Sequence, residues 1–443
     1  MTSARAVQRT YFALMLGNTL AASFIWGVNT IFLLDAGLSN LEAFAANALF
    51  SAGMVLFEVP TGIVADGVGR RASYLLGTLT LTLSTLLYVY LWEIEAAFWA
   101  WAIASVLLGL GFTFFSGAVE AWLVDALAAT GYTGSLETVF GRGQIVGGIA
   151  MLGGSVAGGF LAAQVSLGFP FVVRSIVLAI MFVVAWRLMH DIGFTKPEKV
   201  ERPLTEVRRI WSASIEHGWR VPAVKWLMVQ ALVAGGVGIY GFYALQPYLL
   251  DLYGDPQAYQ VAGLSAAIAA GAQIMGGIAA PQIRRLFHRR TSALLFVAVA
   301  SALTLILMGL IEHFWVVIGL TVSWGLLFAA TTPIRQAYLN GLIPSRQRAT
   351  ILSFDSMMTS GGGVWAQPVL GRAADVWSYP TSYVMSGGIA LLGLPFIALS
   401  RRQNAPADFV TGAPDAGPVS ASEGQAPPEP AARHGRSGHE PER

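Results

Sequence analysis

Charged side chains inside long apolar runs are the first features able to carry chemistry. Glu58 sits in Phe57-Glu-Val-Pro60-Thr61-Gly62, and Glu120 and Asp125 share the run Ala118-Val-Glu120-Ala-Trp-Leu-Val-Asp125. Arg335 and Asp355 occupy later runs of the same kind. Charge in such a setting is expensive and by default marks an ion or proton pathway. Five residues separate Glu120 from Asp125, about 7.5 Å of helical rise, so Glu120 lies deeper. A carboxyl group deprived of water holds its proton more tightly, which makes Glu58 and Glu120 candidates to bind and release protons. The plainer reading of both is a structural hydrogen bond to a neighbouring helix. Arg174 reads as a cation snorkelling to the headgroups rather than a functional one. The 6 histidines show no ligand spacing and cysteine is absent, so no metal site, cofactor, disulfide or thiolate chemistry is expected. No G-x-x-x-x-G-K-[ST] occurs, so ATP is not expected to drive the work.

The elements holding these residues follow from composition. Of 443 residues, 55% are hydrophobic and 12% charged, about half the charge of a soluble domain. Such a chain would aggregate in water and belongs in a lipid bilayer. Net charge is +2, which gives no reason to expect a nucleic-acid partner. Twelve runs of spanning length are predicted. The first six are Tyr11–Leu34, Ala43–Ala65, Ser73–Trp92, Phe98–Leu123, Val139–Val165 and Phe171–Leu188. The second six are Val224–Leu249, Val261–Pro281, Ser292–Leu310, Phe314–Tyr338, Ile351–Ala374 and Tyr383–Leu399. Lysines and arginines fall on one side of this count, among them Arg5, Arg70, Arg71, Arg142, Lys199, Arg284, Arg285, Arg346 and Arg401. The opposite loops carry Asp35, Glu42, Glu93, Glu95, Asp251, Asp255 and Glu312, with Arg372 the exception. The positive-inside rule then puts both termini in the cytoplasm of a multi-pass protein of the inner (plasma) membrane. The expected organisation is a six-helix bundle over residues 1–190, a cytoplasmic loop over 191–222, a second six-helix bundle over 223–400 and a disordered tail over 401–443. The halves echo each other: Phe32-Leu-Leu-Asp35 returns 216 residues later as Tyr248-Leu-Leu-Asp251. Gly62-Ile-Val-Ala returns 215 residues later as Gly277-Ile-Ala-Ala, and each copy is followed by paired arginines. A parallel duplication of this kind points to a transporter built from two like halves.

Gly62-Ile-Val-Ala-Asp66-Gly-Val-Gly69-Arg70-Arg71 resembles the loop signature of the major facilitator superfamily, G-x-x-x-D-(R/K)-x-G-R-(R/K), and departs from it at Gly67. The resemblance covers roughly residues 10–400. It implies an all-α membrane protein of twelve helices in two pseudo-symmetric bundles. It further implies a cytoplasmic latch drawn from Asp66, Arg70, Arg71, Asp125, Arg142, Arg335 and Asp355. On the fifth run, Gly154-Ser155-Val-Ala-Gly158-Gly159 resembles the drug-antiporter signature of that superfamily, with Ser155 where proline is usual. Its physical content is a smooth face for close helix packing. In the family, the first, seventh, tenth and eleventh helices line the central cavity. That makes Trp26, Asn29, Tyr240, Tyr243, Gln246, Trp324, Trp365 and Gln367 cavity candidates, suited to a flat or amphipathic substrate. The implied activity is secondary transport by alternating access: proton-coupled export of a small amphipathic or drug-like molecule, by a monomer. Uptake of a small nutrient or anion is the alternative. A membrane-embedded enzyme would need paired acidic metal motifs or a Ser/His constellation, and neither is found.

Overall fold

Local capping sets where the apolar runs begin to coil. Ser3 accepts a hydrogen bond from the Ala6 amide and opens α1 (Ala4–Trp26). Ser39 and Glu42 form a reciprocal capping box that opens α3 (Asn40–Gly67). The computed structural model describes residues 3–115, 117–194, 219–343 and 348–409. Between those two helices lies α2 (Asn29–Asp35), bent 46° from α1, so the first span is broken at Gly27 and Val28. The chain continues through α4 (Arg70–Glu93), α5 (Phe98–Thr113), α6 (Ala118–Ala129), α7 (Leu136–Gln164) and α8 (Phe169–Leu188). The second half comprises α9 (Pro222–Tyr253), α10 (Tyr259–Arg285), α11 (Arg290–Leu310), α12 (Phe314–Leu342), α13 (Arg348–Val376), α14 (Tyr379–Leu392) and α15 (Leu394–Arg402).

Among the described residues ten helices are long and apolar enough to cross a bilayer, eleven if the bent α1–α2 pair is one span. The fourth span is α5 with α6, where Gly117 adopts φ +70°, and the twelfth is α14 with α15. The remaining span is α13, whose Asp355, Ser356, Thr359, Ser360 and Gln367 lower its hydropathy. A helix this polar stays in the bundle by packing between α3 and α9.

Four apolar clusters form the interior, and their membership differs along the molecule. At the end that carries the arginine-rich loops, one cluster draws only on the first half (Val7, Tyr11, Tyr74, Trp122, Met189). Another there draws only on the second (Val224, Leu227, Leu294, Tyr338, Phe354). Towards the opposite, acidic end the clusters are mixed. Leu250, Ala258 and Ala262 join Val28, Phe32 and Phe171 of the first half, and Phe44 joins Tyr240 and Leu370 of the second. The two halves therefore share a core at one end only.

Residues 401–409, expected as part of the tail, pack against the second half. The last helix runs to Arg402, and Asp408 is fully buried, accepting from the amide and hydroxyl of Thr291 at 2.8 Å each. Asp408 thus serves the first turn of α11, where a carboxylate is favoured. Residues 410–443 lie outside the described residues, as does most of the loop between the halves.

Candidate functional site

The break in the first span leaves backbone groups without helical partners, and a side chain from the other half takes them up. Gln246, on α9 beside Pro247, accepts from the Thr30 amide (2.9 Å) and donates to the Trp26 carbonyl (2.6 Å). One amide thereby bridges both sides of the break and ties the halves together. Next to it, Asn29 donates to Asn47 of α3 at 3.1 Å, and both are buried. The Nδ2 of Asn47 and the Oε1 of Gln367 are enclosed without partners among the described residues. Gln246, Asn29 and Gln367 were candidates from sequence, whereas Asn47 was not. Its signal was an amide within the apolar first half of the second span.

The other cavity candidates are placed differently. Tyr240 and Trp324 are enclosed: Tyr240 bonds Ser382 and packs on Phe44 of the first half at 4.6 Å, and Trp324 lies against Phe328. Trp365 donates to the Leu232 carbonyl at 2.8 Å, while Trp26 and Tyr243 are partly buried.

At the acidic end the halves are sealed by hydrogen bonds. The Asp375 carboxylate accepts from the Asn40 and Leu41 amides at 2.9 and 2.8 Å, so the end of α13 caps the start of α3. Tyr379 adds a bond to the Asn40 side chain. Asp375 was not singled out from sequence, because its partner lies 335 residues away.

At the arginine-rich end, every hydrogen bond and ion pair seen among the described residues stays within one half. Arg70 pairs with Asp66 one turn back and lies 4.0 Å from Asp125 of α6. Arg71 donates to the Trp186 carbonyl, and its amide bonds Asp191 at 2.9 Å. Asp191 supplies the cap that Gly69, at φ +133°, has no side chain to give. Arg142 is exposed and makes no ion pair with Asp125. In the second half Arg335 holds Asp355 in a two-pronged pair (2.5 and 3.2 Å) and also bonds Gln230 and the Leu227 carbonyl of α9. Glu58 is partly buried on α3. Glu120 is exposed on the first turn of α6, within electrostatic reach of Tyr11, so protein does not enclose it as its depth in the run predicted.

The chain was compared with known proteins once this geometry was in hand. The family model of the Major Facilitator Superfamily matches residues 10–330 and 278–430. The chain belongs to the Major Facilitator Superfamily. No curated protein matches it. Among solved structures, a variant of the nucleoside transporter NupG is similar at TM-score 0.74 and 14% identity, covering 89% of this chain and 99% of that one. The peptide transporter POT in complex with sulfate is similar at TM-score 0.68 and 13% identity, covering 91% and 96%. At such identities the likeness shows the fold.

Within this facilitator, the small-residue face of α7 has two partners. A β-carbon at Gly158 would lie 1.8 Å from the Phe24 carbonyl oxygen, and one at Gly154 would lie 2.0 Å from Ser23 Oγ, so both glycines let α1 lie flat on α7. Gly159 instead meets Gly263 of α10, where a β-carbon would lie 2.7 Å from its Cα, and Ser155 is buried in the same seam. The seam therefore joins the halves as well as stabilising one of them.

The snorkelling reading of Arg174 is corrected. Its relative exposure is 6%, and it shares the inner face of α8 with Phe171 and Leu178, while Ile176 and Ile180 face outward.

Proposed function

We propose that the chain is a proton-coupled secondary transporter that exports small amphipathic molecules by alternating access, its arginine-rich end facing the cytoplasm. The observation that carries this reading is the asymmetry of the core, shared and hydrogen-bonded at the acidic end and divided at the arginine-rich end. Two halves that share a core at one end and are divided at the other are arranged as at one extreme of a rocking cycle. With the positive-inside orientation, that open end loads from the cytoplasm.

Coupling is assigned to Glu120. The repeat sets it opposite Arg335, 215 residues later in the chain. When the cytoplasmic end closes, Glu120 approaches a cation already held by Asp355. Two carboxylates around one guanidinium leave a net charge of −1, and enclosing an uncompensated charge costs several kcal/mol. A proton or a cationic solute on Glu120 removes that charge, so closure requires one or the other. Competition for a single carboxylate gives antiport without a further part. Glu58 is the second candidate carrier.

Uptake of a nutrient or anion is the second reading, favoured by the buried Arg174. Growth of an expressing strain on a panel of toxic compounds separates the two. Export predicts resistance that Glu120→Gln abolishes, whereas an importer confers none or sensitises the cells. Resistance equal in wild type and in both Glu120→Gln and Glu58→Gln would remove these residues from coupling.

A further inference from the structure

Arg174 has no role in the export scheme above, yet it is a costly side chain to bury. It sits five residues into α8, about 7.5 Å from the acidic end, and is 6% exposed. Guanidinium remains charged under all ordinary conditions, and a buried cation without a counter-ion is destabilising. Among the described residues no group accepts a hydrogen bond from it or pairs with it, and its Nε is enclosed without a partner. The titratable side chains within electrostatic reach are phenols, Tyr88 of α4 and Tyr243 of α9. The Tyr88 hydroxyl is engaged with Ser105 at 2.6 Å. The Tyr243 hydroxyl makes no hydrogen bond among the described residues and is free to donate.

We infer that Arg174 and Tyr243 form a buried subsite for the monoanionic group of a small organic solute. The guanidinium offers a fork of donors matched to a carboxylate or sulfonate, and the phenol adds one more. Phe32 and Tyr88 both stack on Phe171, which shares the inner face of α8 with Arg174. They suit a solute with a flat apolar body. The subsite also spans the halves. Arg174 belongs to the first and Tyr243 to the second, and Tyr243 lies one turn before the Gln246 that bridges the broken span. An anion held by both would draw the halves together at the acidic end, and its departure would leave two unmatched donors there. The inference deepens the second reading above, a transporter whose solute is an anion, and rests on it for the identity of the ligand as a transported solute.

The test is thermal unfolding of the purified full-length chain in detergent with benzoate, benzenesulfonate, benzamide or sodium chloride at matched ionic strength. Benzoate and benzenesulfonate should raise the unfolding midpoint by at least about 2 °C in a concentration-dependent way, with benzamide inert. Arg174→Gln should lose that shift, Arg174→Lys should keep part of it, and Tyr243→Phe should weaken apparent affinity several-fold. Chloride acting as well as benzoate, through Arg174, would establish the anion site but overturn the organic solute. The inference fails if no anion outperforms benzamide in wild type, or if the shift survives in Arg174→Gln. Should Arg174→Gln not fold, an undiminished response in Tyr243→Phe is the refuting result. Detergent samples carry no gradient, so binding without transport defeats only the transport reading. Resistance in cells without anion binding defeats only the subsite.

Discussion

Gly158 and Gly159 are neighbours on α7, yet the structure assigns them opposite consequences. An alanine at Gly158 drives its β-carbon to 1.8 Å from the Phe24 carbonyl oxygen, within one half. An alanine at Gly159 brings its β-carbon to 2.7 Å from Gly263 Cα and 2.8 Å from the Tyr259 carbonyl oxygen, across the junction between halves. Carbon atoms are comfortable at about 3.5–4.0 Å, so α7 and α10 must part by about 1 Å. Overpacking of this sort costs about 1–3 kcal/mol. For Gly158→Ala the strain is present in every state that keeps α1 on α7, so stability falls. For Gly159→Ala it is relieved when the halves separate at the acidic end, so the cost becomes a shift of the conformational equilibrium, about 5- to 150-fold. The absence of native cysteine allows a clean spin-label pair at Glu93→Cys and Glu312→Cys, exposed positions at the acidic end of the two halves. Double electron–electron resonance should show the long-distance population rising in Gly159→Ala and unchanged in Gly158→Ala. The unfolding midpoint should move in the reverse order. Identical distance distributions in wild type and Gly159→Ala, with equal loss of stability in both variants, would refute the assignment of the seam to the moving interface.

Two further perturbations address the two ends. Asp375→Ala removes both acceptors from the start of α3; because that carboxylate is exposed, the effect is about 1 kcal/mol, read as roughly fivefold more opening with the same label pair and no loss of folding. Asp125→Asn acts on a pair 4.0 Å long and partly open to solvent, so stability should change by less than about 1 kcal/mol while transport falls. Unchanged transport in both Asp125→Asn and Arg70→Ala would dispose of the latch.

The architecture was legible because it rests on signals summed over many residues. A span is some twenty apolar positions, the alternation of arginines repeats at every loop, and the duplication recurs at a fixed offset. What escaped were features set by single contacts. The break at Gly27 and Val28 carries no proline, and its stability depends on Gln246 arriving from the other half. Asp375 reaches Asn40, and Asp408 reaches Thr291, over chain separations that no local pattern records. Asp191 was counted as part of the central loop, yet it caps α4 at the place where Gly69 cannot.

Arg174 shows the deeper reason. In a soluble helix the polar face announces which side is out, so an arginine's direction can be read from its neighbours. A membrane helix is apolar all round, and Phe171, Leu178, Ile176 and Ile180 look alike in sequence although two face the core and two face outward. An arginine one turn inside the span then reads more readily as reaching outward to headgroups than as turning inward. What decides is the packing of α8 against α4 and the broken first span, where Phe171 stacks on Phe32 at 4.0 Å and fixes the rotation of the helix. Once that rotation is set, Arg174, three residues on, has no route to the lipid surface. The same contact that encloses the cation places it beside a bridge between the halves. Its cost is then relieved or exposed by whatever occupies that junction.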